Sequence, residues 1–151
     1  MKSLHEKVKI SWRISSHFAA VLFSAFIAMP IILATKNYVL GVIPFLVIIP
    51  FTEMMLRLGY NNYKYELAKD SVKIEKGVIT KTYKSIPYGR IQNVDIHRGI
   101  LARMLGYSSV SIHTAGYSGP AQYAQAEGYI PAVSVEEAEK IRDDIVKKAK
   151  K

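Results

Sequence analysis

Two long apolar stretches dominate the first third of the chain. The first, ISSHFAAVLFSAFIAMPIILAT at Ile14–Thr35, contains 22 residues and no charge. A helix of that length is about 33 Å long, which is enough to cross the hydrocarbon core of a bilayer. The second, YVLGVIPFLVIIPFTEMML at Tyr38–Leu56, carries Glu53 near one end, where a carboxylate reaches the interface. Its two prolines, Pro44 and Pro50, are tolerated in membrane helices.

Together the two stretches predict a transmembrane hairpin over residues 14–56, and the lipid bilayer as the first partner of the chain. The alternative is a cleaved signal peptide behind the basic residues of positions 1–13. A signal core is only about 7–15 residues long, and a second apolar run does not normally follow it at once. The hairpin is therefore the favoured interpretation.

The rest of the chain alternates between apolar and polar residues, as half-buried strands do. The segments SVKIEKG, VITKTYKSI, RIQNVDIHR and SSVSIHTAG all have this pattern, and Tyr117–Gly128 is predicted to be a loop. Between two strands, GILARMLG predicts a helical turn whose Ile100, Leu101, Met104 and Leu105 plug an open end of the sheet. The last segment predicts an amphipathic helix, since Ser134 and Glu137 form a capping box before an apolar stripe. The fold class is α+β.

Charge adds an orientation to this plan. Basic residues flank the hairpin on both sides, whereas the link between its helices contains only Lys36. Because basic loops stay in the cytoplasm, we expect both termini and the soluble domain there, on a two-span protein of the cell membrane. The expected division is a basic segment at 1–13, the hairpin at 14–56 and a cytoplasmic domain at 57–151. The absence of cysteine is consistent with a cytosolic domain.

Several short motifs follow one another in an order that is similar to a known family. They are an Ile-Pro pair, an Arg-Ile-Gln before alternating valines, a Leu-x-Arg-x-Leu-Gly and a Thr-Ala-Gly. With the hairpin and the closing helix, they resemble the membrane-flanked bacterial pleckstrin-homology-like domain proteins, the YdbS-like group. The motif residues, which we interpret as structural, are Ile86, Pro87, Arg90, Ile91, Gln92, Val94, Leu101, Leu105, Gly106, Thr114, Ala115 and Gly116.

The resemblance implies a bent antiparallel β-barrel or sandwich, capped by the C-terminal helix and tethered by two membrane helices. Many pleckstrin-homology-like domains bind phosphoinositides through basic residues of the first β-hairpin. Here that turn reads AKDSVK, with Lys69 and Lys73 but no arginine, and with Asp70 between them. The candidate lipid or partner residues are these two lysines together with Arg98 and Arg103. For Arg90 and Gln92 we favour hydrogen bonds to backbone groups.

Catalytic and metal chemistry find little support in the sequence. Asp95 and His97 share a strand face, and His113 lies on the next strand, so the three could meet. A solvated face is the favoured interpretation, because no further ligand completes a metal site. No nucleophile and base, phosphate loop or carboxylate pair suggests an enzyme, and no cofactor is expected. Tyr60, Tyr63 and Tyr65, beside the membrane exit, suggest interfacial anchoring rather than nucleic-acid binding.

Three functions are compatible with these features. The first is a non-catalytic membrane protein whose domain binds a protein partner or assembles with itself. The second is a module that binds anionic lipid headgroups through its basic residues. The third is an accessory subunit of a membrane transport or secretion complex. Lipid binding by a few basic side chains weakens steeply with ionic strength, whereas a packed protein interface does not.

Overall fold

The computed structural model describes residues 1–115 and 127–149. The chain forms two units, Lys9–Tyr60 and Met1–Val8 together with Asn61–Lys151. The predicted loop at Tyr117–Gly128 lies outside the described residues, except for Glu127 and Gly128.

The apolar stretches form two helices, α1 at Val8–Thr35 and α2 at Tyr38–Asn61. Both are long and apolar enough to cross a membrane, and α2 continues through both of its prolines. The chain reverses between them at Lys36, whose φ of 53° is left-handed, and the Asn37 Oδ1 atom accepts from the Val39 amide at 2.9 Å. The predicted helical hairpin is confirmed, and its helices extend beyond the apolar runs.

Small side chains allow α1 and α2 to approach each other. Ala20, Ser24 and Ala28 repeat every four residues along α1 and are buried. On α2, a Cβ atom at Gly41 would lie 2.5 Å from the Ile32 Cδ1 atom. Stripes of small residues are a common way for membrane helices to pack, because they allow the backbones to come close. This part of the hairpin is therefore specified by size rather than by polarity.

The other unit contains two antiparallel sheets and two further helices. One sheet has the order β1 (Lys2–Ser3), β2 (Lys64–Leu67), β3 (Ser71–Lys76) and β4 (Thr82–Pro87). The second contains β5 (Ile91–His97), β6 (Tyr107–Thr114) and β7 (Gly128–Ser134). A 3-10 turn at Tyr88–Arg90 links the sheets, helix α3 is Ile100–Leu105 and helix α4 is Val135–Ala149. The predicted α+β fold is confirmed, as two open sheets rather than a closed barrel.

The N-terminal residues are part of this second unit. Strand β1 pairs with β2, with Ser3 opposite Lys64. The side chains of Leu4 and Val8 are buried, and the His5 amide donates to the Ala132 carbonyl at 3.1 Å. The sequence suggested only a basic segment here. The structure inserts the whole helical hairpin between the first and second strands of one sheet.

Helix α4 closes the core in the way that its sequence predicts. The Glu137 amide donates to the Ser134 Oγ atom at 3.2 Å, which is half of the predicted capping box. The apolar stripe of the helix is buried at Ala138, Ile141 and Ile145. It packs against β5, β6 and β7. The fully buried residues of the core come from both sheets and include Val72, Ile86, Val110, Ile112 and Ile130.

Two predictions about apolar side chains are wrong. Helix α3 turns only Ala102 fully inward, and it leaves Ile100 and Met104 about four-fifths exposed, at 80% and 79%. Tyr63 and Tyr65, which were expected at the membrane interface, are buried in the domain. The tyrosines are two residues apart, so in an extended chain they point to the same side, which here is the core.

Candidate functional site

The turn between β2 and β3 carries the first pair of candidate residues. Lys69 lies in the turn, which closes through an Ala68 amide to Ser71 carbonyl bond of 2.9 Å, and Lys73 is exposed on β3. Acidic groups accompany both lysines: Asp70 is adjacent in the turn, and Glu66 lies directly opposite Lys73. Carboxylates this close to the two lysines reduce the attraction of the turn for an anion. The turn is therefore a weak candidate for binding an anionic headgroup.

Polar contacts to the Ala68 carbonyl also stabilise the turn. The Ala68 carbonyl accepts from the Tyr88 hydroxyl at 2.8 Å and from the Lys148 Nζ atom at 3.0 Å. The same ammonium lies 4.8 Å from the centre of the Tyr88 ring. The C-terminal end of α4 and the 3-10 turn therefore meet at this end of the domain.

The second pair, Arg98 and Arg103, flanks the start of α3. The helix begins after Gly99, whose carbonyl accepts from the Arg103 amide at 2.9 Å. Both arginine side chains are exposed. Over residues 1–115 and 127–149, neither guanidinium has an ion-pair partner. An unpaired arginine keeps its full charge available for a phosphate or carboxylate.

The two candidate pairs do not come together. Strand β7 ends at Ser134 opposite Tyr107, directly after the Gly106 that ends α3, and α4 starts there. The other end of α4 reaches Ala68 through Lys148. At 1.5 Å per residue, the 14 steps from Ser134 to Lys148 amount to about 20 Å. The domain thus has two separate basic ends rather than one basic site.

Several family-motif residues serve the fold. Ile86 and Val94 are in the core, and Gly106 takes the left-handed conformation (φ 74°) that ends α3. The Arg90 carbonyl accepts from the Ala115 amide at 3.2 Å, and the pairing register shifts around Gln92 as in a β-bulge. The Arg90 and Gln92 side chains are exposed, and no contact of theirs to a backbone group is seen within the described part of the chain. Gly116 lies outside the described residues.

Of the three residues that could bind a metal ion, only Asp95 and His113 are in contact. The Asp95 Oδ2 atom lies 3.1 Å from the His113 Nε2 atom, and the Asn93 amide donates to Asp95 Oδ1 at 2.8 Å. His97 lies further along β5, opposite Ser109. In the ranges that the structure covers, no three acidic or histidine side chains form a group that could hold a metal ion. The geometry is a cross-strand contact between a carboxylate and an imidazole on a half-exposed face.

Two buried tyrosines have strongly perturbed acidity. The Tyr63 hydroxyl donates to the Tyr129 carbonyl, and burial raises the pKa of Tyr63 well above its usual value. Burial, followed by the nearby Glu137 carboxylate, likewise raises the pKa of Tyr65. Glu137 also accepts from the Lys2 ammonium at 2.7 Å, which ties β1 to the start of α4. These shifts result from packing and suggest no catalytic acid.

Polar side chains of the hairpin gather at the end where both helices meet the soluble segments. Glu53 of α2 contacts the Arg13 guanidinium of α1, with Nε to Oε2 at 3.1 Å, and Arg57 donates to it at 2.7 Å. The His17 Nε2 atom is 3.8 Å from the same carboxylate. The cross-helix pair fixes the register of α1 against α2. It also explains how an acidic residue is accommodated in an otherwise apolar segment.

These features define a class of protein. A hairpin of two apolar helices is inserted after the first strand of a domain that has two antiparallel sheets and a C-terminal helix, which describes a membrane protein with a helix-capped β domain. Residues 17–149 match the Bacterial PH domain family, and the chain belongs to that family. The resemblance seen in the sequence motifs is thereby confirmed.

Two proteins of Bacillus subtilis (strain 168) are similar to the chain. The UPF0699 transmembrane protein YdbS is 28% identical over 113 residues, which cover 75% of this chain and 62% of YdbS. The UPF0699 transmembrane protein YdbT is 29% identical over 91 residues, which cover 60% of this chain and 17% of YdbT. The chain thus spans less than two thirds of the length of either relative. No solved structure matches it.

Proposed function

We propose that the chain is a non-catalytic membrane protein that presents its bacterial PH domain at the cytoplasmic face, for a protein partner or for self-assembly. The observation that carries the proposal is the insertion of the hairpin between β1 and β2. Two separate chain connections join the domain to the helices, so it cannot swing as freely as a domain on one linker. Restricted orientation suits a docking surface, because less rotational freedom is lost when a partner binds.

The same strand pairing supports the proposed topology. Ser3 and Lys64 pair in one sheet although both helices separate them in the chain, so the segments before and after the hairpin lie on one side of a bilayer. An even number of spans meets this requirement. The basic residues on these flanks favour the cytoplasm as that side. Because the chain lacks cysteine, a cysteine at Asn37 in the link and one at Gly89 in the domain are unique labels. An impermeant maleimide added outside intact cells should label the first and not the second, and the reverse result would contradict the orientation.

Self-assembly is tested with the full chain in nanodiscs and liposomes. A fluorophore pair on Gly89→Cys should give energy transfer that rises with protein density and persists at high salt. A packed protein interface is screened far less than a contact between exposed charges. Energy transfer equal to that of randomly placed monomers would exclude self-assembly, and the search would move to a different protein partner.

Headgroup binding is the second candidate, and Arg98 and Arg103, which have no ion-pair partner among the described residues, favour it. The lysines of the β2–β3 turn are a weaker choice, since Glu66 and Asp70 lie beside them. We expect Arg98→Gln/Arg103→Gln to reduce any preference of the reconstituted domain for anionic over neutral lipid. The matched Lys69→Gln/Lys73→Gln variant should reduce the preference for anionic lipid less. An equal or larger effect of the lysine variant would contradict this assignment.

A further inference from the structure

Helix α3 exposes an apolar face that the fold does not use. Ile100 and Met104 are four residues apart and so lie on the same side of the helix, and they are 80% and 79% exposed. The helix is held to the domain through Ala102 on its other side. Two neighbouring large apolar side chains exposed to this degree form a candidate contact surface.

Basic groups surround this apolar face. Arg98 and Arg103 flank it along the chain, and Lys7 approaches from the N-terminal segment. The Lys7 Nζ atom lies 3.9 Å from the position that a Cβ atom would take on Gly106, the residue that ends α3. Apolar residues with arginines beside them in the chain match the bilayer interface, where acyl chains lie beneath anionic headgroups.

This surface lies close to the residue at which the first apolar helix begins. Lys7 immediately precedes Val8, where the first of the two apolar helices begins. The C-terminal end of α3 is therefore within one lysine side chain of the point at which the chain enters that helix. The opposite end of the domain, with Ala68 and Lys148, is about 20 Å away along α4.

We propose that α3 is a second membrane contact, in which Ile100 and Met104 enter the anionic bilayer interface while Arg98 and Arg103 bind lipid phosphates. The contact rests on membrane insertion of the hairpin and is independent of the partner-docking role. A protein occupant is less suited to this face. Stable protein interfaces bury about 800 Å² on each side from some 20–30 residues, and α3 has six residues with two outward apolar side chains.

Two glycines provide a matched pair of probe positions. Gly99 lies beside α3 and Gly89 lies in the 3-10 turn. A Cβ atom at either glycine would meet nothing within 4 Å, and each glycine is directly next to an arginine in the chain. Gly99→Cys and Gly89→Cys therefore each accept an environment-sensitive fluorophore without removing Ile100 or Met104. The full chain is reconstituted into phosphatidylcholine vesicles with and without phosphatidylglycerol and with a nitroxide-labelled lipid as quencher.

We expect the probe at position 99 to show blue-shifted emission and several times the lipid quenching of the probe at 89, most strongly in anionic vesicles. Ile100→Gln/Met104→Gln in the Gly99→Cys chain should reduce quenching to the level at 89. Arg98→Gln/Arg103→Gln should remove the dependence on phosphatidylglycerol, as should high salt. A probe at Phe26→Cys, exposed in α1, reports separately that the hairpin remains inserted.

Two results would overturn the proposal. One is equal quenching at positions 99 and 89 while the probe at 26 is fully quenched, which means that α3 stays in water. The other is a blue shift at 99 without lipid quenching, which means that protein covers the face. The first result leaves self-assembly untouched, and the second would be accompanied by energy transfer at Gly89 if a second copy covers the face, so failure of the membrane contact and failure of self-assembly are distinguishable.

Discussion

Two residues near the N-terminus, Leu4 ahead of the first apolar helix and Val8 at its first position, should stabilise a domain whose second strand starts only at Lys64. Leu4 and Val8 are 3% and 1% exposed, and each is buried within the unit that contains both sheets. Truncating a buried leucine to alanine costs about 2–5 kcal/mol. For Val8→Ala, two lost carbon atoms at about 0.8 kcal/mol each, plus a small cavity term, give roughly 2 kcal/mol.

Hydrogen exchange of the full chain in nanodiscs measures this effect directly. For amides of β2, β6 and β7 that exchange by global unfolding of the domain, a loss of about 3 kcal/mol in Leu4→Ala lowers protection by roughly 150-fold, since 1.36 kcal/mol is a factor of ten. Val8→Ala should lower it by roughly 30-fold. Amides in the middle of α1 and α2 should not change.

The control is the same substitution at an exposed valine of the same domain. Val146 lies on α4 and is 39% exposed, so Val146→Ala removes less buried surface than Val8→Ala and replaces valine with a better helix former. Its protection should stay within a few-fold of the parent. If Leu4→Ala and Val8→Ala also stay within that range, the N-terminal segment is only a flank of the first span and the reasoning is wrong.

Three further substitutions test other parts of the fold. Gly77→Ala should destabilise the domain by about 1–3 kcal/mol in chemical unfolding, because Gly77 has a φ of 117° and a Cβ atom there would lie 2.0 Å from the Thr80 carbonyl oxygen, whereas Gly89→Ala should be near neutral. Glu53→Gln removes the charge that binds Arg13 and should loosen the hairpin, seen as a broader spin-label distance distribution between the helices; an unchanged distribution would make the ion pair dispensable. The raised pKa of Tyr65 means that the unfolded chain loses its proton first, so stability is full below about pH 10 and falls as the pH rises further. Tyr65→Phe should reduce that alkaline loss in unfolding midpoints taken from pH 8 to 12, and an identical pH profile would show that Tyr65 does not contribute.

Sequence reasoning succeeds here where a pattern is long. The two apolar runs and the apolar stripe of α4 extend over many residues. Each pattern is therefore long enough to predict a helix without knowledge of what the helix packs against. Strand β1 has only two residues, Lys2 and Ser3, and no alternation. Its partner, β2, follows the hairpin in the sequence, so the local pattern of residues contains no signal for the pairing. The remaining clue was the placement of Leu4 and Val8, apolar at i and i+4 just ahead of the charge-free run.

The candidate site was predictable in composition but not in arrangement. The four basic residues can be chosen from sequence because they cluster near turns. That Arg98 and Arg103 lie at one end of α4, and the two lysines at the other, depends on how the sheets pack. The inward side of α3 was assigned incorrectly for a related reason. A helix of six residues has too few turns for its period to identify which side faces the core, and Ala102 is the side chain that packs.

The insertion of the hairpin between β1 and β2 also sets an order of folding. Ser3 and Lys64 are 61 positions apart, and bringing together the ends of such a loop in a flexible chain costs about 3–4 kcal/mol. That cost is similar in size to the contribution expected from Leu4 or Val8. Once α1 and α2 have formed a hairpin, its two ends are already close and most of the entropy has been lost. We therefore expect the N-terminal segment to complete the domain more readily once α1 and α2 have formed their hairpin than before.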